Sequence, residues 1–359
     1  MSETGGPLTG LKVVEFAGIG PGPHVAMLLA DLGARVVRIE RPGTATANPV
    51  VERARHRATV DLKSDEGKAF CRDAAAKADV LIEGYRPGVM ERLGLGPDDL
   101  LAANPRLVYA RMTGWGQDGP LAQAAGHDIN YIAITGALSA VGRAGEPAVP
   151  PQNLVGDFGG GSMYCAFGIM AALYERERSG KGQVVDAAIV DGATSLMSFF
   201  AGASGRPFLS TERGKGMLGG AAHFYRCFEC ADGKEISVGA IEPQFYAELL
   251  EKADAPQELR EGQMNPANWD DYAVKLADLF RTKPRAEWVE LLEGSDACFA
   301  PVLELDEARD HPHMKARGAY IEHEGEWHTA PAPRFSRTPG SVRASSEDGA
   351  DVVATWGKD

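Results

Sequence analysis

A histidine at 127 and an aspartate at 157 stand in glycine-framed segments, G-H-D at 126–128 and G-D-F-G-G-G at 156–161, outside any apolar run. Two side chains of unlike basicity suit proton transfer at carbon: one takes a proton from one face, and the other returns a proton to the opposite face. Such a pair inverts a stereocentre. Taken singly, each has a plainer reading, His127 as a loop histidine and Asp157 as a helix N-cap. Their surroundings have to decide. Asp157 precedes Phe158, three glycines and an apolar helical pattern over 162–178. Its carboxylate is therefore expected near a helix N-terminus, where unpaired N–H groups and the dipole stabilise developing negative charge. Glycines there would also let a bulky ligand approach the backbone. For a thioester ligand, loss of the α-proton gives an enolate whose oxygen needs such donors.

The elements that must position these residues read as alternating strands and helices. Branched apolar runs at 12–16, 35–40, 79–83 and 107–112 predict strands, with helical patterns at 24–32 and 65–78 between them. That alternation implies a parallel sheet, a Rossmann-like α/β large domain over 1–190. Ser64 is the expected N-cap of the second helix, followed by Asp65 and Glu66 in its first turn. A further sheet-like stretch follows at 183–190. Residues 191–222 read as a linker, of which 202–222 are rich in glycine and serine and poor in periodic apolar positions. Beyond it, strands at 223–230 and 234–238 flank Asp232-Gly233, a hairpin turn, and three helical patterns follow at 244–253, 269–280 and 285–292. This predicts a smaller α+β domain over 223–310. From 311 to 359, Pro312, Pro331, Pro333 and Pro339 predict a tail without regular elements, laid back across the large domain.

Composition narrows the partners. A net charge of -13 argues against nucleic acid, whose phosphates demand a basic surface. An anionic ligand must then find a local patch, and Arg35, Arg38, Arg41, Arg53, Arg55 and Arg57 offer one. The five cysteines show no framework spacing, and the N-terminus lacks a charged segment leading into an apolar one, so a cytoplasmic, reducing compartment is expected. Cys227 and Cys230 form a lone C-x-x-C without the second pair that a zinc site needs, so no metal is expected. The apolar run at 161–173 is too short to span a bilayer. Gly18-Ile19-Gly20-Pro21-Gly22 after the first strand tempts a dinucleotide reading, but Pro21 and Pro23 remove backbone donors that a pyrophosphate would use.

The chain resembles the α-methylacyl-CoA racemases of the family III CoA-transferase superfamily. The carrying segments run nearly end to end: 11–23, D-L-G-A at 31–34, D-V-L-I-E-G-Y-R-P-G at 79–88, G-W-G-Q at 114–117, G-H-D-I-N-Y at 126–131, G-D-F-G-G-G at 156–161 and G-A-I-E-P-Q at 239–244. The resemblance implies His127 and Asp157 as the two bases, with Glu242 supporting the histidine. It implies coenzyme A contacts at Ile19, Arg41, Val60, Asp61, Leu62, Lys63, Gly84, Tyr85, Arg86, Arg92, Gly126, Asp128, Ile129, Asn130 and Tyr131. It implies an interlocked homodimer and no cofactor beyond the coenzyme A of the acyl-CoA substrate.

Two unlike bases carry a cost. Reference pKa values of about 6.5 for imidazole and about 3.9 for an aspartate favour the ion pair by about 3.5 kcal/mol. An apolar setting that desolvates Asp157 would narrow this gap. The rival chemistry is CoA transfer, in which Asp157 attacks the thioester as a nucleophile. Transferases of the superfamily generally lack a histidine at position 127, so its presence favours the racemase. The acyl half of the substrate stays open: Met197, Phe199, Phe200, Met217 and Phe224 read equally as a permissive surface or as core.

Overall fold

Lys12–Phe16 and Arg35–Glu40 combine branched apolar residues with charged ones and are buried almost throughout, as strands covered on both faces must be. A computed structural model describes residues 5–46, 48–202 and 209–357, and places these two strands, β1 and β2, side by side. They belong to a six-stranded sheet with β3 (Arg55–Thr59), β4 (Val80–Glu83), β5 (Val108–Thr113) and β6 (Val184–Ala188), in the order β3-β2-β1-β4-β5-β6. Every pairing is parallel. The strand order reverses between β1 and β4, and the crevice at the carboxyl ends of strands on either side of such a reversal is where doubly wound sheets bind ligands.

The sheet lies in a unit made of residues 1–136, 151–196 and 316–359; a second unit comprises 137–150 and 197–315. Residues 137–150, expected in the large domain, cluster with the second unit. Of the expected linker, 203–208 lie outside the described residues, while Ser198–Ala201 and Met217–Gly219 form short helical turns.

The expected helices follow with small shifts at their ends. Asp65–Lys77 starts at Ser64, whose hydroxyl accepts the Gly67 N–H at 2.9 Å. The stretch expected as strand at 183–190 splits, because β6 ends at Ala188 and the helix Ile189–Leu196 follows at once.

β3 was not foreseen as a strand, and its arginines are not an anion-binding face. Arg38 and Arg55 are 2% and 0% exposed, and both bond to the carboxylate of Glu15, itself 1% exposed. Arg38 also bonds Glu40, Arg57 bridges Glu40 and Glu52, and Arg53 holds Asp31. The patch is largely an internal ion network, with Arg41 left exposed beyond β2. Removing one member of such a network strands the others without solvation. Glu15→Gln is therefore expected to destabilise the protein by about 3 kcal/mol, measured by denaturant unfolding against the wild type.

The last segment also differs from expectation. Strands β10 (Tyr320–His323) and β11 (Glu326–Thr329) form a hairpin, and Gly349–Thr355 is helical. The prolines at 331, 333 and 339 fall after β11, outside both elements. Ser346 pairs with His56 in a parallel bridge along the outer side of β3, with Arg57 N–H donating to Ser346 at 2.7 Å and Ser346 N–H to Arg55 at 2.8 Å. Val353 and Trp356 then enter the apolar layer over one face of the sheet.

In the second unit, β7 (Tyr225–Glu229), β8 (Glu235–Gly239) and β9 (Phe299–Pro301) form an antiparallel sheet. Gly233 supplies the positive φ, 74°, that the β7–β8 turn needs. Helices Pro243–Lys252, Trp269–Phe280 and Arg285–Leu292 contribute to its core with Phe224, which is wholly buried, so Phe224 belongs to the core and not to an acyl surface. Phe199 is 61% exposed. Among the described residues no helix is long and apolar enough to cross a membrane.

Candidate active site

The loops at the carboxyl ends of β1, β4 and β5 carry most of the expected site. After β1, Gly20 takes φ 67° and starts the helix Pro21–Asp31, which has proline at its first position. A Cβ built on Gly20 would stand 2.8 Å from Asp157 Oδ2, so the backbone here abuts the carboxyl directly. After β4, Gly84 and Arg86 are exposed and Tyr85 is half-buried. The buried Glu83 accepts the Tyr85 N–H at 2.7 Å and Arg111 Nε at 3.0 Å, which fixes that loop to the sheet. After β5 the chain reaches residues 126–131.

His127 is exposed and caps the helix Asp128–Ile134 with extended backbone, φ -131° and ψ 174°. Its N–H donates to Asn130 Oδ1 at 3.0 Å, and its carbonyl accepts the Asn130 N–H at 2.8 Å. Asn130 thus pins the turn with its side chain. Tyr131 donates its hydroxyl to the Gly126 carbonyl and meets Trp115 edge-on, ring centroids 4.8 Å apart. Gly114 and Gly126 are glycines because a Cβ on either would collide with the Tyr131 ring.

Asp157 lies in a π-helical stretch, Leu154–Ser162, that continues into the helix Met163–Ser179. Wide turns of this kind mark functional positions more often than ordinary helix does. The carboxyl is therefore close to a helix start, as expected. The Asp157 N–H itself is engaged: it donates to Asp128 Oδ2 at 2.6 Å. The glycines also serve another purpose than ligand access. A Cβ on Gly160 would stand 2.6 Å from Ala193 N, one on Gly192 would stand 1.8 Å from Gly160 O, and one on Gly161 would meet Pro21 and Ile189 at 3.1 Å. They let the stretch pack backbone to backbone on the helix Ile189–Leu196.

Burial pushes the Asp157 carboxyl up to about 6, and the Asp128 charge adds to this, while His127 and a hydrogen bond from Asn153 oppose it. Asp157 and Arg86 both act on Tyr131, whose hydroxyl is held above its ordinary range chiefly by burial. His127, Asp128, Tyr131, Asp157 and Arg86 thus form one electrostatic neighbourhood. Behind it, His24 stacks on Phe158 at 4.2 Å and contacts Ser162 Oγ at 2.6 Å; burial and then Arg53 and Arg55 bring it down to about 4. Nothing in its sequence context singled it out.

The remaining expected contacts are more scattered. Ile19 is 75% exposed, and Arg41, Lys63, Arg92, Ile129 and Asn130 are exposed. Val60 and Leu62 are buried in the apolar layer, and the Val60 N–H is taken by Glu40 O at 2.7 Å. Asp61 Oδ1 accepts the Lys63 N–H at 2.9 Å within its own turn. Beside them a cavity of about 450 Å³ is lined by Arg57, Thr59, Asp61, Ser64 and Phe70 among others. Glu242 stands in the second unit, exposed, at the start of the helix Pro243–Lys252.

The comparisons with known proteins cover this whole arrangement. Over 334 residues the chain is 46% identical to alpha-methylacyl-CoA racemase of Mus musculus, covering 92% of this chain and 87% of that one. Over 333 residues it is 45% identical to alpha-methylacyl-CoA racemase of Homo sapiens, with the same coverage. A CAIB/BAIF family protein from Brucella suis superposes with a TM-score of 0.81 at 28% identity, over 98% of this chain and 100% of that one. A sequence profile matches from residue 8 to residue 348, taking in the parallel sheet, the antiparallel unit and the returning segment, and by that match the chain belongs to CoA-transferase family III.

Proposed function

We propose that the protein interconverts the (2R) and (2S) forms of 2-methylacyl-CoA thioesters by proton transfer between His127 and Asp157. One base removes the α-proton, and the C–H electron pair moves into the thioester carbonyl as an enolate. The other base then delivers a proton to the opposite face, the carbonyl re-forms, and the configuration is inverted. The observation that carries this reading is the meeting of the two turns, where Asp128, next to His127, accepts the Asp157 N–H at 2.6 Å and the Asp157 carboxyl is pushed up to about 6. A carboxyl raised in this way resists ionisation, so the shared proton is not confined to the histidine. A shared proton can then rest on either base, which both directions of the reaction require.

The racemases of mouse and human at 46% and 45% identity support the assignment. Exposed Arg41, Lys63, Arg86 and Arg92 follow the carboxyl ends of β2, β3 and β4 and would meet the phosphates of coenzyme A. The active form is a homodimer in which the partner subunit's Glu242 steadies His127. In favour of a dimer, the helix Met163–Ser179 leaves Phe167 and Tyr174 73% and 71% exposed, with Met163 and Met170 on the same stripe. A cytoplasmic location fits the free thiols of the described cysteines.

Each enantiomer, incubated in deuterated water without any carboxylate acceptor, is expected to take up α-deuterium and to invert. Turnover that depends on an added acceptor, with an acyl adduct on Asp157, would instead establish CoA transfer.

A further inference from the structure

We infer that Asp128 is a positioning residue that couples the two bases: its carboxylate fastens the backbone of Asp157 to the turn that carries His127, and its charge faces the Asp157 carboxyl. This rests on the two-base reading above.

The geometry is specific. Asp128 follows His127 directly in the chain and opens the helix Asp128–Ile134. From there its Oδ2 accepts the Asp157 N–H at 2.6 Å, across 29 residues of sequence. A Cβ built on Gly156 would stand 2.3 Å from the same oxygen and 2.6 Å from Cγ, so the carboxylate lies flat on a backbone that only glycine leaves open.

Two consequences follow for the reaction. A charge-assisted hydrogen bond fixes the distance between the turns, so neither base moves without the other. A second carboxylate held close also makes ionisation of Asp157 harder, and Asp128 is the second cause, after burial, of its elevation to about 6. His127 and Asn153 act in the opposite sense. The other groups near this stretch are Tyr131 on the helix Asp128–Ile134 and His24 on the helix Pro21–Asp31, while the helix Ile189–Leu196 packed against it carries Asp191, whose charge acts on Asp186. None of these replaces a carboxylate bonded to the Asp157 backbone.

Asp128→Asn and Asp128→Ala separate the two contributions, because asparagine keeps an acceptor oxygen and loses the charge. The full-length variants are assayed for interconversion and α-deuterium uptake across pH, and the Asp157 carboxyl is titrated by infrared difference against Asp157→Asn. In Asp128→Asn the acid limb of kcat/KM and the infrared titration are both expected to move to lower pH by about half a unit or more. In Asp128→Ala, kcat is expected to fall about a hundredfold as the turns lose register. An Asp128→Asn profile and titration that superimpose on wild type overturn the inference, even where thermal stability has changed. If wild-type protein shows no α-exchange, the racemase reading fails; the infrared shift then still decides whether Asp128 sets the ionisation of Asp157.

Discussion

His127→Ala and Asp157→Ala are each expected to slow interconversion about a thousandfold, while leaving α-hydrogen exchange alive in opposite enantiomers. With His127 gone, the Asp157 carboxylate still faces one side of the α-carbon. It can remove and return a proton there, so that enantiomer takes up deuterium without inverting. With Asp157 gone, His127 serves the other enantiomer in the same way. Both variants lose the second face, so kcat/KM for interconversion falls equally in the two directions, as thermodynamics demands of substrates with nearly equal free energy. Deuterium incorporation and configuration, followed together by mass spectrometry and chiral separation, read the two effects apart. Exchange of both enantiomers in a single-base variant would remove the assignment of one base to each face.

Gly20→Ala is expected to cost about 2 kcal/mol in stability and at least about a hundredfold in kcat. The position has φ 67°, a region where an L-residue is strained, and its new Cβ would stand 2.8 Å from Asp157 Oδ2. Either the carboxyl moves or the start of the helix Pro21–Asp31 does. The glycine-rich turn after β1 therefore acts as a template for a carboxyl 137 residues further on in the chain, where a dinucleotide fold would use it for phosphate. Thermal unfolding and the pH profile of the variant check both parts. Wild-type kcat in a folded Gly20→Ala protein would show that this contact does not position Asp157.

The alternating strands are legible because Lys12–Phe16, Arg35–Glu40 and Val80–Glu83 each hold a pair or more of branched apolar residues whose local pattern and tertiary fate agree. Arg55–Thr59 is not, because that strand, R-H-R-A-T, is buried through charge pairing. Glu52 lies close by in the chain, but Glu15 and Glu40, which also hold Arg55 and Arg57, come from other strands that no local window shows. Prolines in the last fifty residues weighed against regular structure, yet Pro312 opens the short helix Pro312–Ala316 and Pro331, Pro333 and Pro339 fall between the elements. At the site, residue types were legible and contacts were not. His127 and Asp157 announced a proton-transfer pair, whereas the engagement of Asp128 with the Asp157 backbone depends on how two distant turns meet. The glycines of 159–161 were visible as glycines; that they also admit another helix is a property of packing.

The strand bridge of Ser346 to His56 also has a meaning for biosynthesis. One of the two edge strands of the parallel sheet, β3, gains its cover from residues 346–356, nearly three hundred positions after it leaves the ribosome. The antiparallel unit, by contrast, draws all its strands from 225–301. A nascent chain can complete the inserted middle while the surrounding sheet still presents a naked edge, the kind of surface that recruits other strands. The interval between synthesis of β3 and arrival of the final helix is thus the period in which this chain most needs a chaperone.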